Sequence, residues 1–108
     1  MNDRELLELA AKAAGVKIVP CTCSYEEWPF KYADGQGRRG HWNPLVNDGD
    51  ALRLATKLRI SLHWCSTGRV YAYADGDTEE IESTREDPDS SVRSAIVRAA
   101  AEIGEAMQ

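Results

Sequence analysis

The stretch HWNPLVNDGDALRLATKLRISLHWC, residues 41–65, holds the clearest turn, helix and strand signals of the chain. Pro44 holds the residue before it in an extended or turn conformation. Asn47 or Asp48 then caps a helix, because a short polar side chain accepts a hydrogen bond from an unpaired N–H of the first turn. Alternation over residues 60–65 predicts a strand directly after that helix. The rest of the chain is expected to pack around this unit.

Three stretches have the apolar spacing of amphipathic helices. The first is predicted over residues 3–14, between the cap Asn2 and Gly15, which accepts the left-handed conformation past a helix end. The second begins near Asp48, and the third is capped by Asp89 or Ser90. Apolar residues expected on the buried stripes are Ala51, Leu52, Leu54, Ala55 and Leu58 in the second helix, and Val92, Ala95, Ile96, Ala99, Ala100, Ile103 and Met107 in the third.

Strands are predicted from alternating side chains over 16–23, 60–65 and 69–74, with a short one over 78–83. Pro20 cannot donate a ladder hydrogen bond, so the first is an edge strand or ends near Val19. The turn at 66–68 makes the next two strands an antiparallel hairpin. Residues 24–43 are the least regular part, with a short hairpin expected at Asp34-Gly35 and aromatic residues that pin the loop to the core.

The order of elements is helix, strand, loop, helix, strand, strand, short strand, helix. Strands that follow one another without a βαβ alternation indicate an α+β fold. We therefore expect an antiparallel sheet of three to four strands with two to three helices packed mainly on one face. At 108 residues the chain is too short for two stable cores, so residues 1–108 form one domain.

The formal net charge of -5 argues against a protein that coats extended nucleic acid, which needs clustered Lys and Arg. No apolar run approaches the roughly 20 residues of a membrane span, and the N-terminus lacks the features of a secretory signal. We expect a cytoplasmic protein whose three cysteines are reduced thiols. The sequence leaves the oligomeric state open.

The runs WNPLVNDGDALRLATKL and SAIVRAAAEIGEAM, with a strand pair between them, resemble small hypothetical proteins of tailed bacteriophages and prophages. The order of elements is loosely similar to that of phage NinX-type proteins, whose function is unknown. The resemblance covers roughly the last two thirds of the chain. It implies a phage accessory protein in the cytoplasm of a bacterial host, and it carries no catalytic residue across.

Thiol and imidazole groups form the first candidate site. Cys21, Cys23, His63 and Cys65 are ligand types suited to zinc, if the two strands that carry them are neighbours. The favoured interpretation is of reduced, partly buried thiols and a strand histidine, with no metal and no cofactor. No base is placed beside a thiol by the sequence, so a Cys-His nucleophile is disfavoured as well.

The glycine- and arginine-rich loop 34–42 is the second candidate site. Its glycines allow close approach to an anion, and Arg38 and Arg39 offer forked donors for phosphate or carboxylate. It lacks the Gly-Lys-Ser/Thr ending of a phosphate-binding loop, so nucleotide hydrolysis is not expected. The competing interpretation is a solvated loop. Neighbouring rings that could stack on a ligand belong to Trp28, Tyr32, His41 and Trp42.

Two further groups have mainly structural explanations. Asp48 and Asp50 suit a helix start, and the acidic residues at 75–80 suit a turn and a solvated edge, although paired carboxylates also occur in calcium loops and hydrolases. His63, Tyr71 and Tyr73 could form an exposed aromatic strip on one face of the sheet, or cover that face.

No catalytic motif emerges, and the favoured hypothesis is a non-enzymatic phage accessory protein that binds a host or phage protein, in host takeover or counter-defence. An acidic protein could compete for the nucleic-acid-binding surface of a host protein. The alternative is a small-molecule or nucleotide-binding domain that uses the loop 34–42.

Overall fold

The computed structural model describes residues 2–21, 28–33, 40–66, 69–73, 80–83 and 88–107. The elements, in chain order, are α1 (Asp3–Ala14), β1 (Ile18–Pro20), β2 (Phe30–Tyr32), α2 (Asp48–Leu58), β3 (Ser61–Trp64), β4 (Arg69–Tyr73), β5 (Glu80–Ser83) and α3 (Pro88–Ala106). The predicted α+β class is confirmed, and the predicted elements occur in the predicted order. Among the described residues, no helix is both long enough and apolar enough to cross a membrane.

The strands divide between two antiparallel sheets, where the sequence predicted one. β1 pairs with β2, and β3, β4 and β5 form a second sheet in that order. The additional strand β2 lies in the segment expected to be irregular apart from a short hairpin at Asp34-Gly35, whose turn lies outside the described residues. It is anchored because the Phe30 ring is 3% exposed, and because the chain returns beside it: Tyr32 N–H donates to the Gly40 carbonyl at 3.0 Å, and Trp42 N–H to the Phe30 carbonyl at 3.1 Å.

Local signals define the ends of α1 as the sequence predicts. The Asn2 side chain accepts a hydrogen bond from Glu5 N–H at 2.8 Å, which satisfies one donor of the first turn. Gly15 follows the helix in the left-handed conformation, with φ 70°, and its N–H bonds back to the last turn.

The end of α2 is made by an arginine instead of a glycine. Arg59 takes the left-handed conformation with φ 55°, and the N–H of Ile60 donates to the Ala55 carbonyl at 2.9 Å. The reversal turns the chain directly into β3 and buries Ile60, which is 8% exposed.

Helix α3 is the centre of the fold, packed against α1, α2, β4 and β5. It begins at Pro88, just before the predicted cap, at a position where a missing N–H costs nothing. Val97 and Ala101 are buried although they lie off the predicted stripe. They are covered because helices and a sheet enclose α3 from different sides.

The contact between α1 and α3 is made by small residues that let the two backbones approach closely. A Cβ on Gly104 of α3 would lie 2.0 Å from the backbone carbonyl oxygen of Leu9 in α1. The position therefore requires glycine for space. The alanines buried in these helices are Ala10, Ala11, Ala14, Ala95, Ala99, Ala100 and Ala101.

Replacing Gly104 with alanine is expected to lower the free energy of unfolding by about 1–3 kcal/mol, because one helix must move away from the other. Urea denaturation followed by circular dichroism measures the change. Glu105→Ala, at an exposed position on the same turn, is the control and should change stability by less than about 0.5 kcal/mol. Equal stabilities of the two variants would show that α1 does not pack this closely.

Candidate binding surfaces

The turn before α2 is held by a closed set of hydrogen bonds over residues 43–50. The Asn43 carbonyl accepts from Asn47 N–H at 3.0 Å, and the Asn47 side chain accepts from Asp50 N–H at 2.8 Å. The Asp50 carboxylate in turn accepts from Asn43 N–H at 2.9 Å. Asn47 is therefore the helix cap, and Asp50 is a structural residue at the helix start, as predicted.

The second oxygen of Asp50 pairs with Arg53 of α2, with 2.5 Å between Oδ1 and Nη2. The Asp50 side chain is only 4% exposed, so the guanidinium compensates a buried charge. The hydrogen bond from Arg53 to Asp50 is the largest cause that raises the pKa of Arg53, and Tyr32 adds to the same direction. Arg53 stays cationic, with about half of its side chain exposed beside Tyr32.

An open apolar groove lies between α2, β3 and the first half of α3. Its volume is about 300 Å³. We call this the β3 groove and define it by Leu52, Leu62, Trp64, Val92 and Ile96. Among the groove residues, the exposed side chains of Leu52, Leu62 and Trp64 are 67%, 39% and 52% accessible.

The groove is open because α3 covers only part of the sheet. Leu62 and Trp64 of β3 lie opposite Ala72 and Val70 of β4, on the same face. Those two β4 residues are fully buried beneath α3. In the described part of the chain, the apolar side chains of β3 on this face are only partly covered, and they line the groove beside α2 and α3.

The acidic rim of the groove is formed by the starts of α2 and α3. Asp48 and Asp89 are exposed there. Arg93, the cation beside them, is 16% exposed, and its guanidinium is already used. Its Nη1 pairs with Asp48 at 2.5 Å, and its Nε donates to the Leu45 carbonyl at 2.9 Å.

Leu52 corrects one expectation from the sequence, which placed it on the buried stripe of α2. Ala51, Leu54 and Ala55 are buried, whereas Leu52 is 67% exposed. The spacing in the sequence contained this signal. Positions 51, 54, 55 and 58 already form a complete apolar stripe, and the side chain at position 52 is rotated about 100° around the helix axis from that at position 51. The exposed Leu62 and Trp64 had no such signal, because alternation does not reveal whether a layer covers a face.

The predicted aromatic strip lies on the other face of the same sheet. The rings of His63 and Tyr71 are cross-strand neighbours with centroids 6.4 Å apart. Tyr73 shares this face and is 39% exposed. β3 is thus exposed on both faces, since all four of its residues are exposed.

The candidate residues around the loop 34–42 are only partly brought together. Arg38 and Arg39 lie outside the described residues. The rings of Trp28 and His41 are in contact, with centroids 5.3 Å apart. Trp42 is 2% exposed and belongs to the core, so it offers no open stacking surface.

A second pocket, of about 240 Å³, lies between the end of α1, β2 and α2. We call it the α1–α2 pocket and define it by Val16, Tyr32, Arg53, Leu54 and Lys57. Apolar side chains form its floor, and two cations one helical turn apart stand at its side. Neither cation is among the binding residues predicted from the sequence.

The thiols are divided between the two sheets. Cys21 follows β1, Cys65 follows β3, and Cys23 lies outside the described residues. In the described part of the chain, no three His, Cys, Asp or Glu side chains are grouped so that they could hold a metal ion. The predicted acidic turn at Asp75, Asp77 and Glu79 also lies outside that part.

The chain matches no protein family model, no curated protein and no solved structure. The resemblance to small phage proteins stays a prediction from the sequence.

Asp50→Ala is expected to lower the free energy of unfolding by about 1–3 kcal/mol, because Asn43 N–H and Arg53 both lose a buried partner. Asp48→Ala, two residues earlier with its side chain 75% exposed, is the control and should cost less than about 1 kcal/mol. Chemical denaturation of both variants gives the comparison. A loss at Asp50 no larger than at Asp48 would contradict the structural role of the buried carboxylate.

Proposed function

We propose that the protein acts by binding another protein through the β3 groove, and that it is not an enzyme. The observation that carries the proposal is the exposure of Leu52, Leu62 and Trp64 on one continuous surface. Neighbouring apolar side chains of this size leave water when a partner covers them, and clusters of this kind mark interaction sites.

The composition of the groove also fits a binding surface. An aromatic residue, Trp64, lies among aliphatic side chains, and charged residues stand at the edge. Protein interfaces commonly have this arrangement, in which a few central aromatic and aliphatic contacts supply most of the affinity. The resemblance to phage proteins adds the proposal that the partner is a host or phage protein in the bacterial cytoplasm.

Affinity capture from a bacterial lysate with the wild-type protein, followed by mass spectrometry, tests the proposal when it is repeated with groove variants. Leu52→Lys and Trp64→Lys should lose a protein that the wild type captures. With the purified partner, each should weaken binding by about tenfold or more, since a central contact contributes about 2 kcal/mol.

Val19→Lys is the matched control, because it places the same charge at an exposed strand position of the other sheet, where Val19 is 36% exposed. It should bind like the wild type. A captured set that is identical for all four proteins would refute the proposed role of the groove.

The α1–α2 pocket supports a second candidate function, the binding of a small organic anion. Within the described residues, Arg53 and Lys57 outnumber the one lining carboxylate, Asp50, which is already satisfied by hydrogen bonds. The volume of about 240 Å³ is below that of pockets for drug-sized ligands, so a single-ring or short-chain carboxylate or phosphate fits best.

Benzoate is expected to shift the backbone NMR signals of Tyr32, Arg53 and Lys57 saturably, whereas the neutral analogue benzamide should not. Lys57→Gln should weaken benzoate binding by about fivefold, through loss of one cation. Lys31→Gln, at an exposed position of β2 on the side opposite Tyr32, removes the same charge and should have little effect. Equal shifts with benzamide would exclude an anion site.

A further inference from the structure

We infer that the open edge of β3 is a strand-addition site, which takes an extended segment of another protein with apolar side chains at alternate positions and flanking Lys or Arg. The inference rests on the proposed function and specifies how the partner binds and what its chemistry is.

The backbone of β3 has hydrogen-bonding groups that face away from β4. Cys65 N–H donates to the Arg69 carbonyl at 2.8 Å. Directly opposed residues of an antiparallel pair alternate between bonded and non-bonded, so Ser61 and His63 also bond to β4. It follows that the N–H and C=O groups of Leu62 and Trp64 point to the open edge. β4 is the only strand in the described part of the chain that pairs with β3.

The two edges of this sheet differ in how they are protected. Natural proteins block strand edges with charges, proline or bulges. The sequence of β5, at one edge, is Glu-Ile-Glu-Ser, which contains two acidic residues. The sequence of β3, at the other, is Ser-Leu-His-Trp, with no Lys, no proline and an unbroken register against β4. Of the two described edge strands, only β3 lacks these features in its own sequence and register.

The side chains beside the edge define the chemistry of the added strand. Leu62 and Trp64 point to the β3 groove from the residues whose backbone groups face outward. An added strand would place every second side chain on the same face, over the groove. Those side chains must be apolar to cover Leu62, Trp64 and Leu52.

Charge complementarity specifies the flanks. Asp48 and Asp89 are exposed at the groove rim, and the one lining cation, Arg93, pairs with Asp48 and donates to the Leu45 carbonyl. Among the described lining residues, the rim therefore keeps one net negative charge. Lys or Arg beside the apolar positions of the partner would meet these carboxylates. The net charge of -5 would also favour the approach of a basic segment.

A library of random twelve-residue peptides, displayed and selected on the purified protein, tests this chemistry directly. We expect selected peptides to carry apolar residues at alternate positions with flanking Lys or Arg. Selected peptides with apolar residues at helical spacing, or with acidic flanks, would overturn the inference.

Backbone pairing is tested by comparing Leu62→Pro with Leu62→Val for one selected peptide. Both remove the leucine side chain, but only proline also removes the outward N–H, and proline is tolerated in an edge strand where that N–H faces solvent. We expect Leu62→Pro to bind about tenfold more weakly than Leu62→Val, as for the loss of a hydrogen bond. Circular dichroism and thermal melts confirm that both variants are folded.

Hydrogen exchange supplies a readout that does not depend on these substitutions. In the wild-type protein, bound peptide should slow exchange of the Leu62 and Trp64 amides, whereas the His63 amide, already bonded to β4, should change less. Unchanged exchange at Leu62 and Trp64 in the saturated complex would refute strand addition.

The failures of the two proposals are distinguishable. If Leu52→Lys loses the peptide but Leu62→Pro and Leu62→Val bind it with equal affinity, the groove would remain the binding site and strand addition would be refuted. If no selected peptide binds the wild type more tightly than it binds Leu52→Lys, the result would count against both the groove as a binding site and strand addition at β3. A dimer in light scattering that dissociates in Leu62→Pro would identify a second copy as the occupant, and would overturn the inferred basic partner.

Discussion

The buried carboxylate of Asp50 is the interaction on which the middle of the molecule depends. One of its oxygens accepts the Asn43 N–H, and the other pairs with Arg53, while its own N–H bonds to the helix cap Asn47. A charge that is 4% exposed is tolerated only because all of these partners are present. The turn, the start of α2 and the wall of the α1–α2 pocket are therefore fixed by one side chain.

The position of α3 decides which surfaces are left for function. This helix packs against α1 through a contact that is too close for any side chain at Gly104. On another side it packs against β4 and β5. Among the described residues, Leu62 and Trp64 of β3 therefore stay 39% and 52% exposed, in a groove beside α2 and α3. The apolar groove thus follows from the packing that makes the rest of the core dense.

The two candidate surfaces have opposite electrostatic character. The β3 groove is apolar with exposed carboxylates at its rim, whereas the α1–α2 pocket carries Arg53 and Lys57. α2 borders both, presenting Leu52 to one and Lys57 to the other. A partner for the groove and a ligand for the pocket would accordingly be recognised by different chemistry, and α2 connects the two sites physically.

Local physical chemistry in the sequence determined the elements. Caps at Asn2 and Asn47, the glycine at position 15 and the alternation in β3 and β4 predicted helices and strands, because each signal acts within a few residues. Asp50, at the start of α2, was also identified correctly as a structural residue. Of the residues proposed for binding, His63, Tyr71 and Tyr73 do share one face, as a period of two requires.

Only the tertiary structure decided how the strands were divided, which aromatic rings were buried and which apolar side chains were left open. Phe30 and Trp42 entered the core, and β2 formed because its backbone pairs with β1 on one side and bonds to residues 40–42 on the other. Leu62 and Trp64 have the same alternating pattern as a covered strand, yet they remain 39% and 52% exposed in the groove between α2 and α3. The sequence determined which side chains share a face, through the fixed geometry of helices and strands, whereas the cover over each face depended on contacts between residues far apart in the chain.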